Sequence, residues 1–167
     1  MAVSRRRFLA TTSAAAAMAF DRPASARILG ANERLRVAAI GTSRSSTGKS
    51  PGQGATLAIN VAQLPGAEVA AVCAVDDLHM KACAAAVAAK QAKPPAMQKD
   101  FRRLLDDKDI DAVTIATPDH WHAPAAILAC AAGKHVYCEK PCCHNPREGE
   151  LLVQAARKYK RVVQHGT

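Results

Sequence analysis

The sequence predicts an α/β fold, a doubly wound parallel sheet with helices on both faces in three α/β/α layers. Three observations predict it. From about residue 35 onward, short apolar runs rich in Val, Ile and Ala alternate with longer helix-like stretches, the pattern of strands joined by crossover helices. The first of these runs breaks into a loop of Gly, Ser and Thr, "GTSRSSTGKS", of the kind that lets phosphate approach backbone N–H groups. The composition, 49% hydrophobic and 22% charged over 167 residues, is that of a globular chain long enough for one domain with a sizeable core.

The elements follow in order. Strands are expected at Leu35–Ile40, Glu68–Cys73, Ala96–Gln98, Ala112–Ala116, His135–Cys138 and Arg161–Gln164, each an apolar stretch of strand length. Helices are expected between them at Ala55–Gln63, Leu78–Gln91, Phe101–Leu105, Ala123–Ala132 and Arg147–Tyr159. Asn145-Pro146 reads as an N-cap with Pro at the first helical position, and Gly133 as the stop of the preceding helix. A ligand of such a sheet sits beyond the carboxyl ends of the strands.

The first residues stand apart from the fold. "SRRRFLATTSAAAAMAFDRPASA" has a charged start at Arg5, Arg6 and Arg7, a short apolar run from Ala10 to Phe20, and an A-x-A cleavage site at Ala24-Ser25-Ala26. The apolar run is well short of the roughly 20 residues that span a bilayer, so no stable membrane anchoring is expected. Ser4-Arg5-Arg6-Arg7-Phe8-Leu9 resembles the bacterial twin-arginine signal, which implies export of a folded protein to the periplasm. The expected division is therefore a signal over 1–26 cleaved near Ala26, a linker over 27–34 and one domain over 35–167. Cleavage removes Arg5, Arg6, Arg7 and Arg22 together with Asp21, lowering the net charge from +9 to +6. The remaining cations are scattered and aromatics make up only 4%, so neither a basic stripe nor a stacking platform points to nucleic acid.

Of the six cysteines, Cys73, Cys83, Cys130 and Cys138 lie inside apolar runs, where a free thiol behaves as a small core residue. Cys142 and Cys143 are an unfavourable disulfide pair, because adjacent Cα atoms lie about 3.8 Å apart and disulfides want about 4.4 Å or more. His120, His122 and His144 show no metal-ligand spacing with them, and no metal site is expected.

The loop itself is ambiguous. Gly48-Lys49-Ser50 ends it like a Walker A motif, but Ser43 stands where that motif needs its first glycine. The helix that should begin there also runs into Pro51-Gly52-Gln53-Gly54, and glycine is a poor residue for a first helical turn. The dinucleotide fingerprint G-x-G-x-x-G fits only at Gly41, with Ser43 and Ser46 where its second and third glycines belong.

The second half resolves the choice. Ala116-Thr117-Pro118-Asp119-His120-Trp121-His122 after the fourth strand and Glu139-Lys140-Pro141 after the fifth resemble the Gfo/Idh/MocA family of NAD(P)-dependent oxidoreductases, over about residues 35–167. The resemblance implies a Rossmann-type domain binding NAD or NADP. It implies that Gly41, Thr42 and Ser43 approach the pyrophosphate, that Thr117 and Pro118 pass under the cofactor, and that His122 lies near the nicotinamide end. Glu139, Lys140 and Pro141 would complete the site, with Lys140 as the catalytic group holding the nicotinamide ribose and substrate hydroxyl and helping to move a proton. The family's acid at the end of the second strand is replaced by Ala74, leaving Asp76 or Asp77 to bind the adenosine ribose, so NAD versus NADP stays open. The substrate implied is a small molecule of the sugar or polyol class. The chain ends where the family's substrate domain would begin, so catalysis, and any homo-oligomer, is expected only when that domain completes it. Two alternatives stand beside dehydrogenation: NAD-dependent glycoside cleavage, as in some members of the family, and a non-catalytic dinucleotide-binding module.

Overall fold

The computed structural model describes residues 34–43 and 50–167. The expected signal segment, the expected linker apart from its last residue, and the loop residues 44–49 that include Gly48 and Lys49 lie outside them. Six parallel strands form one sheet in the order β3-β2-β1-β4-β5-β6, where β1 is Leu35–Ile40, β2 Ala67–Cys73, β3 Ala96–Gln98, β4 Ala112–Ile115, β5 His135–Cys138 and β6 Val163–His165. The strand order reverses between β1 and β4, which opens a crevice at their carboxyl ends.

Five helices connect the strands: α1 Gln53–Ala62, α2 Asp77–Ala88, α3 Phe101–Asp106, α4 His122–Ala131 and α5 Pro146–Tyr159. Alternation along β1 distributes side chains to two cores. Ala38 and Ile40 face a cluster with Val113, Ile115, Leu104, Ala126, Cys130 and Leu152 under α3, α4 and α5. Ala39, with Val69 and Val72 of β2, faces a second cluster under α1 and α2 that includes Ala58, Met80, Cys83 and Val87. The small residues Ala125, Ala126 and Ala129 let α4 lie close on the sheet, and all three are buried.

Local chemistry sets the helix ends. Asn145 Oδ1 accepts the Glu148 N–H at 3.0 Å with Pro146 at the first helical position, and Gly133 stops α4 at φ +81°. Asp76 and Asp100 cap α2 and α3 by accepting the N–H groups of His79 at 2.9 Å and Arg102 at 3.1 Å. Most boundaries shift by one to three residues from expectation, α2 for instance spanning Asp77–Ala88 in place of Leu78–Gln91, and at two of them the cause is visible. The last strand begins at Val163 rather than Arg161, because Lys160 takes a left-handed φ of 52° and Arg161 turns back to the carbonyls of Tyr159 and Gly133. The first helix begins at Gln53 and takes Gly54 into its first turn.

Away from the crevice, at the amino ends of the strands, Lys134 is only 5% exposed and its ammonium donates to the carbonyls of Asp107 and Ile110. Burial holds its pKa below the usual lysine value, against the opposing pull of Asp107, Asp111, Asp106 and Asp109.

Candidate functional site

The crevice is a cleft of about 640 Å³ lined by the carboxyl ends of β1, β2 and β4. Gly41, Thr42 and Ser43 come from β1, Ala74, Val75 and Asp76 from β2, and Ala116, Thr117 and Pro118 from β4. Six of the sequence-expected site residues, Gly41, Thr42, Ser43, Asp76, Thr117 and Pro118, thus meet in one cavity. His79, Lys99, Phe101, His120 and Trp121 complete its wall.

Its floor is a glycine interlock. Gly41 has φ +86°, and a Cβ there would lie 2.5 Å from the Ala116 carbonyl oxygen. A Cβ on Gly54 would lie 1.8 Å from the Gly41 carbonyl oxygen. Helix α1 therefore rests on the turn after β1 through a backbone contact that only glycine permits, the helix–strand role of the last glycine in the dinucleotide fingerprint. Sequence reasoning missed Gly54 because it sought that glycine at Ser46; the signal was present thirteen residues beyond Gly41, in the Gly52-Gln53-Gly54 stretch that reads as a poor helix start.

The amino end of α1 has no side-chain cap, its N-cap being Gly52. Gly52 N–H itself donates to the Ser43 carbonyl at 3.0 Å, which ties the loop's two ends together. The first helical N–H groups have no partner within the helix, so this end carries partial positive charge. Two hydroxyls nearby are buried: Thr42 Oγ1 faces the Cys83 thiol, and Thr117 Oγ1 has no hydrogen-bond partner among the described residues.

The β2 end forms one side of the cleft. Asp76 lies there, its carboxyl held below the usual range by the His79 N–H it accepts, with the His79 ring a further cause. Lys99 Nζ pairs with Asp77 at 3.0 Å. Trp121 packs edge-on against Phe101, with ring centroids 6.1 Å apart, and is 47% exposed at the rim.

The remaining site residues do not line this cavity. Glu139 is 6% exposed at the end of β5 and accepts the Gln53 side-chain amide of α1 at 3.0 Å. Its charge, second to burial, raises the pKa of Tyr137, which hydrogen-bonds to it. Lys140 is exposed, next to Pro141 across a cis peptide bond. His122 is 1% exposed, with Nδ1 2.5 Å from the Pro141 carbonyl and Nε2 2.8 Å from the Thr117 carbonyl. It lies beneath the site, between its two motif turns, rather than in the cleft. Cys73, Cys83, Cys130 and Cys138 are buried free thiols, and burial pushes Cys73 and Cys83 up to about 11 and Cys138 up to about 12. The thiols of Cys142 and Cys143 are 4.0 Å apart and half-buried.

Known proteins share this fold. A family model described as an oxidoreductase family with an NAD-binding Rossmann fold, GFO_IDH_MocA, matches residues 35–167. Over 147 residues, 83% of this chain and 30% of the relative, the chain is 35% identical to a glycosyl hydrolase family 109 protein of Stenotrophomonas maltophilia. Over 58 residues, 35% of this chain and 15% of the relative, it is 47% identical to levoglucosan dehydrogenase of Pseudarthrobacter phenanthrenivorans. The structure of an NAD binding oxidoreductase from Klebsiella pneumoniae superposes with a TM-score of 0.62 at 28% identity, covering 80% of this chain and 34% of that one. The chain spans about a third or less of the length of these relatives.

Proposed function

The chain belongs to the Gfo/Idh/MocA family of oxidoreductases, as its NAD-binding Rossmann domain, and on that premise we propose that it holds the dinucleotide across the β1–β4 crevice for hydride exchange with a sugar or polyol. The observation that carries this reading is the interlock of Gly41 with Gly54, which sets an uncapped helix end directly over the turn after β1. A pyrophosphate there would accept from the first N–H groups of α1. The unpartnered hydroxyl of Thr117 fits the same ligand, since a buried hydroxyl without a partner among the described residues costs stability that a bound polar group recovers.

In this reading Asp76 offers its carboxylate to the adenosine ribose in place of the strand-end acid, and Trp121 with Phe101 borders the adenine. Bound nicotinamide supplies the hydride donor or acceptor. Glu139 fixes the end of β5 to α1, Pro141 sets the turn, and Lys140 reaches out to orient the substrate hydroxyl and exchange its proton. The substrate contacts and any oligomer interface belong to the rest of the protein. The amino-terminal segment is a twin-arginine signal in the same proposal, so the cofactor is loaded before export and retained in the periplasm. A second reading, NAD-dependent cleavage of a glycoside, draws on the similarity to the glycosyl hydrolase family 109 protein.

The chain's one tryptophan provides the test, because Trp121 lines the cleft. Titration with NAD, NADP, and ATP with magnesium should quench its emission with a dinucleotide and not with ATP. NADH should in addition take up its excitation by energy transfer. Magnesium-dependent ATP binding without either dinucleotide would refute the proposal.

A further inference from the structure

The two sequence motifs of the site leave the sheet on neighbouring strands. Strands β4 and β5 pair in register up to Ile115 and Cys138, and the last backbone bond between them is Glu139 N–H to the Ile115 carbonyl at 2.8 Å. Beyond Glu139 the two chains separate into the turns that carry Thr117 and Lys140. The next contact between these turns is the His122 ring, 1% exposed, with Nδ1 2.5 Å from the Pro141 carbonyl and Nε2 2.8 Å from the Thr117 carbonyl; the neutral ring donates to one of them and the imidazolium to both.

Lys140 sits between two fixed neighbours. Before it, Glu139 is buried and accepts the Gln53 amide at 3.0 Å and the Lys140 N–H at 3.3 Å. After it, the Pro141 carbonyl is on His122 at 2.5 Å. The lysine side chain is exposed and forms no hydrogen bond or ion pair among the described residues. Its aim is therefore set by its backbone, and the backbone is set by its neighbours. We infer that His122 is a positioning residue: it locks the turn under the cofactor to the turn that carries Lys140, so that filling the cleft at Thr117 is felt at the lysine. This rests on the proposed role of Lys140 and on dinucleotide binding in the β1–β4 crevice.

The test needs no substrate. Lysines of the chain are labelled by reductive ¹³C-methylation, and the Lys140 resonance is assigned by its loss in Lys140→Arg. In the wild-type chain, saturation with NAD should shift that resonance. In His122→Ala, NAD affinity by calorimetry should stay within about threefold while the Lys140 shift is lost, its resonance remaining at the solvent-exposed position of the other lysines. Should His122→Ala fail to fold, His122→Asn, whose shorter side chain cannot reach both carbonyls, enters the same comparison with at least half of the shift expected to vanish. An undiminished Lys140 shift in the folded variant overturns the inference, and so does a loss of NAD affinity of tenfold or more, which would make His122 a residue of the cleft or of the fold. A wild-type Lys140 resonance unmoved by bound NAD instead refutes the placement of Lys140 at the nicotinamide. Absence of NAD binding refutes the cleft itself.

Discussion

Gly54→Ala is the sharpest test of how the cleft is built. On an ordinary helix the change favours folding, because alanine exceeds glycine in helix propensity by about 1 kcal/mol. Here the added Cβ would stand 1.8 Å from the Gly41 carbonyl oxygen, 2.9 Å from its carbonyl carbon and 3.0 Å from Ala116 Cβ. The first two are backbone atoms and cannot rotate away, so α1 must move off β1 by more than 1 Å, on the order of the displacement that costs a positioned site about 10²-fold. Overpacking of this kind typically costs about 1–3 kcal/mol and sometimes more. Because the clash is with backbone, the cost belongs at the top of that range, about 3 kcal/mol, and less the propensity gain a net destabilisation of about 2 kcal/mol is expected, or a fall of roughly 6–10 °C in Tm for a domain of this size. Dinucleotide affinity should fall at least tenfold, about 1.4 kcal/mol, because the amino end of α1 leaves the pyrophosphate. Thermal unfolding with Trp121 emission, together with NAD titration, measures both. Asn60→Ala, on the exposed face of the same helix, serves as the control and should be neutral or slightly stabilising. A Gly54→Ala chain as stable as wild type, with unchanged NAD affinity, would refute the interlock as the basis of the site.

Lys140→Ala in the full-length protein should lower the hydride-transfer rate by about 10²-fold or more, followed by NADH absorbance, with NAD affinity little changed. Lys134→Met should keep the packing of the stem but strip the buried Ile110 carbonyl and the part-buried Asp107 carbonyl of their donor, for a loss of about 2 kcal/mol or more in denaturant unfolding; unchanged stability would refute that bridge. His135 Nδ1 accepts the Val162 N–H at 3.0 Å, and burial, with Arg161 nearby, holds its pKa below 6.5. The unfolded chain then binds the proton more readily, so this contribution to stability is present above about pH 6.5 and lost as pH falls toward the lower native value. His135→Asn, whose side-chain oxygen can accept the same bond, should flatten that slope of Tm between pH 7 and 5. Changing Arg5 and Arg6 to Lys should retain the protein inside the cell, and efficient export of the variant would sink the signal assignment.

The fold class was legible because strands buried on both faces are written as near-continuous apolar runs, and four of the five helices are bounded by residues with a local role, such as Asn145 before α5 and Gly133 after α4. Boundaries failed where a distant contact decided them. Arg161 looks strand-like but serves the carbonyls of Tyr159 and Gly133, and Gly54 looks like a helix breaker until the Gly41 carbonyl is placed against it. The loop between Gly41 and Gly54 stretches the glycine fingerprint beyond its usual spacing, so a motif defined by neighbours in the chain lost its third member while the contact it encodes remained.

By itself the sequence determined the α/β alternation, the family through its two motifs, and the residues at the strand ends, because these depend on local pattern and on residue type. Only the tertiary structure decided which of those residues share a cavity. Asp76, Thr117 and Gly41 meet because strands β2, β1 and β4 lie side by side, although their order in the chain differs. It also decided that His122 stands under the site with its ring on two carbonyls, and that Glu139 holds Gln53 across the sheet end. Such contacts join residues far apart in sequence, and their partners are backbone groups or side chains whose positions depend on how every strand between them has paired. A chain read one residue at a time carries the donors and acceptors; folding alone determines which of them meet.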